Sequence, residues 1–320
     1  MRIGLFSDTY LPELNGVASS VGILNKALER IGHEVYVITT KPDGYDISQD
    51  DANVIRLNGI ELKSFYGYVL TSPLHFSAYE TVKSKQLDVI HAHTEFGVGI
   101  FARICASMLK IPLVSTYHTT YEDYTHYLNP VGLDGVEKVA KVAVSKLSKL
   151  YGDSSVEVIA PSEKTKAMLL RYNIRSSIHV IPTGLPLERF KSENTSAERV
   201  KELRDQYGVK DNEFLITYLG RVAKEKNIGF VIDGFSKIKE KQLPCKLLIV
   251  GGGPDEEDLH KQVQDLGLSD YVSFAGRQPR EDVPSFYHAS NAFISASTSE
   301  TQGMTYIEAL ASGLPVFAYK

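Results

Sequence analysis

Short apolar, β-rich runs alternate with amphipathic segments along almost the whole chain. In the first part of the chain, the predicted strands are Arg2–Phe6, Glu34–Thr39, Val54–Leu57, Asp88–His91, Leu113–Tyr117, Val156–Ala160 and Ile178–Ile181. The predicted helices are Gly16–Ile31, Pro73–Lys85, Gly97–Leu109, Gly135–Tyr151 and Ser162–Tyr172. Strands that alternate with helices in this way predict a parallel sheet with helices on both faces.

The same pattern restarts after a polar stretch, Lys191–Glu198. The predicted strands of the second part are Phe214–Leu219, Lys246–Val250, Val272–Phe274, Ala292–Ser295 and Pro315–Ala318. Its predicted helices are Ile228–Lys239, Pro254–Leu266, Arg280–His288 and Met304–Ala311. We therefore predict an α/β fold of two doubly wound, Rossmann-like domains, residues 1–185 and 190–320.

Two expectations follow from this organisation. The ligand site should lie in the cleft between the domains, at the C-terminal ends of the strands. The chain stops directly after the strand Pro315–Ala318. A buried parallel strand is normally followed by a covering helix, so we expect the second domain to be incomplete.

Composition limits the classes of function. The chain has 320 residues, of which 43% are hydrophobic and 23% charged, as in an ordinary globular protein of about two domains. A net charge of −4 argues against a general nucleic-acid-binding protein. Cys105 and Cys245 lie in apolar elements, which favours reduced core thiols over a disulfide or a metal site. Without a signal peptide or a bilayer-spanning apolar run, a cytoplasmic location is expected, compatible with contact with a membrane surface.

The segment Ser297–Gly313 carries the clearest chemical signal. An apolar strand leads into a polar loop that contains Glu300, and a helix that contains Glu308 follows. A helix N-terminus offers free amides and a partial positive charge, which suit a phosphate group. One carboxylate can then accept hydrogen bonds from sugar hydroxyls, while the other binds a ribose.

Two further turns of the second part carry polar or glycine-rich signals. Arg221 and Lys226 follow the strand Phe214–Leu219, where two cations can stabilise the negative charge of a leaving diphosphate. The alternative is a solvated basic turn. Gly251–Pro254 follows the next strand and allows a ligand to lie against bare backbone, although the segment lacks the Lys-Ser/Thr ending of a P-loop.

In the first part, candidate residues also follow strands. Gly16 would allow the backbone to approach a phosphate or sugar closely, although a plain β-to-α turn is the alternative. His91 and His93 lack a third ligand at metal-site spacing, so no metal is expected. His118 is the better functional candidate because its loop is dense in polar and aromatic residues that can hold a sugar.

Together these motifs resemble the retaining glycosyltransferases of the GT-B fold, a family that includes sucrose synthases and bacterial lipid glycosyltransferases. The resemblance covers nearly the whole chain and rests on Gly220-Arg221 with Glu225-Lys226-Asn227, on Gly251–Pro254 and on Glu300–Glu308. It implies a UDP-sugar donor and no cofactor or metal. The resemblance also implies a role for each candidate residue. Arg221 and Lys226 bind the diphosphate of the donor, Glu300 binds its sugar, and Glu308 binds its ribose. Gly16, Gly251 and the amides of Gly303, Met304 and Thr305 also bind the donor, and His118 contacts the sugar near its anomeric carbon.

The resemblance also implies a mechanism and an acceptor. Glu300 is generally a sugar ligand in this family, and the acceptor attacks on the face from which the diphosphate departs; a covalent role for Glu300 is the alternative. Many members have an aromatic residue and Gly after the first Glu, whereas Thr301-Gln302-Gly303 resembles bacterial diacylglycerol glucosyltransferases. The expected reaction therefore transfers glucose from UDP-glucose to diacylglycerol at the cytoplasmic face of the membrane.

Two segments are candidates for contact with an anionic membrane surface. On the helix Gly135–Tyr151, Val139, Leu147 and Leu150 share one face, and lysines lie on the opposite side. A core-packed helix with a solvated lysine face is the alternative. The apolar segment Lys63–Tyr79 is the second candidate, and a buried aromatic cluster is its alternative.

A soluble or polysaccharide acceptor, a non-catalytic nucleotide-sugar-binding fragment and an epimerase remain alternative functions.

Overall fold

The computed structural model describes residues 1–13, 15–62, 68–120, 122 and 136–319, with residues 62 and 136–138 described by their backbone alone. Within these ranges the chain divides into two compact units, Met1–Leu185 and Pro186–Lys320.

The first unit is built on a parallel sheet of seven strands. Its strands are β1 (Arg2–Ser7), β2 (Glu34–Thr40), β3 (Val54–Leu57), β6 (Val89–Ala92), β7 (Leu113–Thr116), β8 (Glu157–Ala160) and β9 (Ser177–Val180), and β4 (Gly59–Leu62) with β5 (Tyr68–Thr71) forms a separate antiparallel hairpin. The helices are α1 (Gly16–Arg30), α2 (Phe76–Ser84), α3 (Gly97–Leu109), α4 (Val136–Asp153) and α5 (Glu163–Arg171). The sheet order is β3-β2-β1-β6-β7-β8-β9, so the direction of winding reverses between β1 and β6.

Both faces of this sheet are covered, which explains the apolar strands. Ile3 and Leu5 of β1 pack with Val21 of α1, whereas Phe6 packs with Phe101 of α3. Successive side chains of a strand point to opposite faces, so a strand between two helical layers is apolar throughout.

The second unit repeats this architecture with a five-stranded parallel sheet of order β12-β11-β10-β13-β14. Its strands are β10 (Phe214–Leu219), β11 (Cys245–Val250), β12 (Val272–Gly276), β13 (Ala292–Ser295) and β14 (Val316–Ala318). Its helices are α6 (Ala197–Gln206), α7 (Ile228–Glu240), α8 (Glu256–Asp265), α9 (Val283–Ala289) and α10 (Met304–Ala311). Leu247 and Ile249 of β11 belong to one core cluster, and Leu248 and Val250 belong to another. Here the winding reverses between β10 and β13.

The observed elements differ from the predicted ones in a few places. The hairpin of β4 and β5 and the helix α6 were not predicted, and α2 begins at Phe76 rather than Pro73. The predicted start of α4 at Gly135 and residues 63–67 of the Lys63–Tyr79 segment lie outside the described residues. Cys105 and Cys245 are both free and buried, as predicted. Across the described ranges, no helix combines the length and the apolar composition needed to cross a membrane.

Candidate functional site

In the second unit, two predicted site residues meet at the point where the sheet reverses its winding. Lys226 lies in a short 3-10 helix, Lys224–Lys226, that follows β10, and Glu300 lies in the loop after β13. The Lys226 Nζ donates to Glu300 Oε1 at 2.6 Å, and the two side chains are only 17% and 27% exposed. Ligands of open α/β sheets bind at this position, beyond the carboxyl ends of the strands.

Arg221 is held by a carboxylate that was not predicted as a site residue. Its guanidinium forms an ion pair with Glu225, whose side chain is almost completely buried. The Glu225 carbonyl in turn accepts a hydrogen bond of 3.3 Å from the backbone N–H of Thr298 in the loop after β13. The turn that carries Arg221 and Lys226 is thus tied to the loop that carries Glu300.

The glycine-rich turn after β11 lies against the turn after β10. Gly251 has a φ of +138°, and a Cβ atom there would lie 1.8 Å from the carbonyl oxygen of Gly220. At Gly253 a Cβ atom would lie 2.1 Å from the carbonyl oxygen of Val222. The glycines are therefore required for backbone packing, whether or not a ligand also lies against them.

Gly303 begins the helix that carries Glu308. Its left-handed conformation, φ 69° and ψ 56°, favours glycine, and a Cβ atom would lie 2.6 Å from the ring of Tyr306. The N-cap residue is Gly303 itself, which has no side chain to accept a hydrogen bond from the first backbone N–H groups, those of Met304 and Thr305. Uncapped N–H groups at a helix N-terminus can bind an anion.

Glu308 lies on α10, facing a tyrosine and two arginines. Tyr287 Oη donates to Glu308 Oε2 at 3.0 Å. Burial raises the pKa of Glu308, while the tyrosine hydrogen bond and the charges of Arg189 and Arg280 act in the opposite direction. Sequence reasoning missed these neighbours, because Tyr287 lies in α9, 21 residues from Glu308 in the chain, and Arg189 and Arg280 lie still farther away.

In the first unit, Gly16 is the exposed first residue of α1. The preceding Asn15 caps the helix, since its Oδ1 accepts a hydrogen bond of 2.8 Å from Ala18 N. The Asn15 Nδ2 donates to Thr9 Oγ1 at 2.7 Å, and Thr9 Oγ1 donates to Glu13 Oε2 at 2.5 Å. These polar side chains hold the loop that leads from β1 to Gly16.

His118 belongs to a row of three imidazoles at the ends of β6 and β7. The ring centroids of His91 and His93 are 4.0 Å apart, and those of His93 and His118 are 5.2 Å apart. His93 Nδ1 lies 2.9 Å from His118 Nε2, and His91 Nε2 lies 2.7 Å from Thr116 Oγ1. Burial lowers the pKa of His91 to about 3 and that of His118 to about 4, so these rings are neutral at pH 7. Among the described residues, no group of three or more His, Cys, Asp or Glu side chains is arranged so that it could hold a metal ion.

Asp8 is a buried residue of the same edge that the predicted site did not include. Its Oδ1 accepts a hydrogen bond of 2.9 Å from Val98 N in the first turn of α3. Its backbone N–H donates to Thr94 Oγ1 at 2.8 Å. Asp8 therefore joins β1 to the loop and helix that follow β6, next to the histidines.

Known proteins resemble the whole chain. Residues 14–189 match the family described as Glycosyltransferase Family 4, and residues 199–320 match Glycosyl transferases group 1. The alpha-monoglucosyldiacylglycerol synthase of Streptococcus pneumoniae is 39% identical over 320 residues, which are 100% of this chain and 71% of that protein. The chain belongs to glycosyltransferase family 4. The synthase of the same name from Acholeplasma laidlawii is 36% identical over 99% of this chain and 79% of its own length.

Solved structures show that this family 4 glycosyltransferase has the GT-B fold. Sucrose-phosphate synthase from Thermosynechococcus elongatus matches with a TM-score of 0.75 at 22% identity and covers 99% of this chain and 81% of its own. Anabaena Alr3699/HepE in complex with UDP-glucose matches with a TM-score of 0.74 at 20% identity, over 99% of this chain and 80% of its own. The predicted fold and the predicted family are both confirmed.

Proposed function

We propose that the chain transfers glucose from UDP-glucose to diacylglycerol with retention of the anomeric configuration, giving α-monoglucosyldiacylglycerol. The observation that carries this proposal is the full-length similarity, at 39% and 36% identity, to two alpha-monoglucosyldiacylglycerol synthases. The geometry of the second unit supports a donor site, since cations, an uncapped helix N-terminus and two carboxylates occur in its βα loops and on α10.

In this proposal, Arg221 and Lys226 bind the donor diphosphate. Both follow β10, and the cations can stabilise the charge of the leaving UDP in the transition state. The amides at Gly303, Met304 and Thr305 hold a phosphate at the N-terminus of α10.

The two carboxylates recognise the sugars of the donor. Glu308 accepts hydrogen bonds from the ribose hydroxyls, and its position one turn inside α10 keeps it near the phosphate-binding end of that helix. Glu300 accepts hydrogen bonds from the transferred glucose. Gly251 and Gly16 provide close backbone approach, and His118 contacts the glucose near its anomeric carbon.

The proposed reaction proceeds on one face of the sugar. The bond from the anomeric carbon to the diphosphate oxygen breaks, and a bond to the acceptor hydroxyl oxygen forms on the same face. The proton of that hydroxyl moves to the departing phosphate oxygen. Glu300 acts as a ligand of the sugar and not as a nucleophile. Its ion pair with Lys226 supports this role, because the ammonium stabilises the negative charge of the carboxylate and so lowers its nucleophilicity.

The acceptor is a lipid, so the first unit must reach a bilayer. On α4, Val139 and Leu150 are 71% and 64% exposed, and Val142 and Leu147 are exposed as well. We call these four residues the α4 patch. The alternative of a core-packed helix is wrong for these described side chains. Lys146 is exposed on the same helix, and a cation beside apolar side chains suits a surface of anionic lipids.

A second apolar patch lies on the hairpin and at the start of α2. Ile60 of β4 and Leu70 of β5 are paired across the hairpin and are both exposed. Leu74 and Phe76 at the start of α2 are also exposed, Phe76 by 85%. We propose that both patches bind the cytoplasmic face of the membrane peripherally, and that diacylglycerol reaches the site from there.

The activity is tested with radiolabelled UDP-glucose, presented with diacylglycerol in vesicles or with soluble sugars. The expected product is a glucolipid with an α linkage, absent in Glu300→Ala. Label only in soluble sugars would refute the lipid acceptor, and UDP binding without transfer to any acceptor would refute catalysis by this chain.

Membrane binding is tested by co-sedimentation with vesicles of phosphatidylcholine alone or with phosphatidylglycerol. We expect binding that increases with phosphatidylglycerol and falls at least tenfold in Leu150→Asp. Met108→Asp is the matched control, because Met108 is a similarly exposed apolar residue on α3, outside both patches. Equal losses in the two variants would refute a specific membrane surface.

A further inference from the structure

The proposed sugar contact of His118 depends on which of its ring nitrogens carries the proton. His118 is neutral at pH 7, and its ring therefore has one N–H group and one acceptor nitrogen. His118 Nε2 is occupied by the hydrogen bond of 2.9 Å with His93 Nδ1. The nitrogen left for another partner is Nδ1.

The rings of His93 and His118 are both neutral, so together they carry two protons on their four nitrogen atoms. One proton must lie in the bond between His93 Nδ1 and His118 Nε2. If His93 donates, the second proton is on His118 Nδ1, and His93 Nε2 is an empty acceptor. If His118 donates, the second proton is on His93 Nε2, and His118 Nδ1 is an acceptor.

Burial of His93 distinguishes these two arrangements. His93 is 2% exposed, and its Nε2 has no hydrogen-bond partner among the described residues. A buried N–H group without an acceptor is less well tolerated than an unoccupied acceptor. The first arrangement is therefore favoured, with the proton on His118 Nδ1.

The position of His93 is fixed by the sheet and by its neighbours. Its backbone N–H donates to the carbonyl of Phe6 at 2.8 Å, which extends the pairing of β6 with β1 by one residue. Its ring lies between those of His91 and His118. His93 Nδ1 is therefore held in position to donate a hydrogen bond to His118 Nε2.

We infer that His93 is a positioning residue that holds His118 in the tautomer with N–H at Nδ1, making His118 a hydrogen-bond donor. Such a donor suits an oxygen acceptor, such as a sugar hydroxyl or a ring oxygen. The tautomer itself follows from the geometry of the first unit, whereas its consequence for transfer rests on the proposed function. The two parts can be tested separately.

The first test is NMR of the protein labelled with ¹⁵N-histidine, in which long-range correlations distinguish protonated from unprotonated ring nitrogens. The wild-type protein should show His118 protonated at Nδ1 and bare at Nε2. In His93→Phe the ring contact remains but the donor is lost, and His118 should shift to the Nε2–H form, which is the more stable tautomer of a free histidine. His91→Phe is the matched control and should leave His118 unchanged.

The second test is a double-mutant cycle on glucose transfer. His93→Phe should lower kcat/KM about tenfold, the loss expected for one hydrogen bond, and should cause no further loss in a His118→Phe background. Protonation of His118 at Nε2 in the wild-type protein would overturn the inference whatever the activity. Additive losses in the cycle would likewise overturn it, whereas a failure of all transfer activity would count only against the proposed function.

Discussion

Replacement of Glu300 by Gln should strengthen the binding of UDP, although Glu300 lies at the proposed donor site. In the structure the Lys226 ammonium already contacts the Glu300 carboxylate at 2.6 Å. The diphosphate of UDP must therefore compete with the Glu300 carboxylate for the Lys226 ammonium. Glu300→Gln keeps the size of the side chain but removes its charge, so Lys226 becomes available to the diphosphate.

The expected gain follows from the exposure of the pair. Exposed ion pairs contribute about 0.2–1 kcal/mol, and breaking a buried pair costs about 3–5 kcal/mol. With side chains 17% and 27% exposed, the pair is only partly buried, and after allowance for solvent screening we take about 1 kcal/mol. UDP should therefore bind about fivefold more tightly to Glu300→Gln. Lys226→Met removes a charged hydrogen bond of about 1.5–3 kcal/mol, which weakens UDP binding by roughly 10- to 150-fold.

Isothermal titration with UDP alone is the appropriate assay, because the sugar of UDP-glucose would contact Glu300. The gain should depend on Lys226, so Glu300→Gln should have little effect in a Lys226→Met background. Circular dichroism of each variant controls for folding. If Glu300→Gln binds UDP no better than the wild type, or if the gain persists without Lys226, the argument from the ion pair is refuted.

Three other properties can be measured directly. The pKa of His118 is about 4 in the folded protein against an ordinary 6.5, so the unfolded state binds more protons between these values and stability should fall as the pH drops from 6.5 to 4. The free energy of unfolding, measured with urea, should decrease less over this pH range in His118→Asn than in the wild-type protein. Gly251→Ala places a Cβ atom 1.8 Å from Gly220 O and should cost more than about 2 kcal/mol of unfolding free energy, whereas Gly234→Ala on α7, with no atom within 4 Å, should stabilise the protein by about 0.5–1 kcal/mol. Tyr287→Phe removes the hydrogen bond to Glu308 and should raise the pKa of that carboxyl further, as followed by ¹³C NMR of labelled glutamate; an unchanged titration would contradict the contact.

Most strands could be predicted because they are short apolar runs, and several helices could be predicted because their apolar positions recur with the helical period. Strands β10 and β13 and helices α3 and α10 have the predicted bounds. The helix α6 was missed because its sequence is almost entirely polar, and Leu203 is its one buried residue. The hairpin of β4 and β5 was missed because two strands of four residues carry too little periodicity to separate them from a loop.

The candidate residues could be found from the sequence, but their partners could not. Lys226 and Glu300 are 74 residues apart, and His93 and His118 are 25 apart. These pairs meet because of strand order, which local patterns do not specify. The glycines of the turn after β11 were expected to face a ligand, whereas their close contact with Gly220 and Val222 depends on the packing of two turns.

The contacts among the βα turns of the second unit have a consequence for motion. Gly220 N donates to Val250 O at 2.9 Å, Val222 N donates to Gly252 O at 3.2 Å, and Thr298 N donates to Glu225 O at 3.3 Å. Three loops from three different strands are thus linked by their backbones, with little room for one to shift alone. We expect their amides to exchange with deuterium as one cooperative unit, and a nucleotide bound at any one of them to slow exchange in all three.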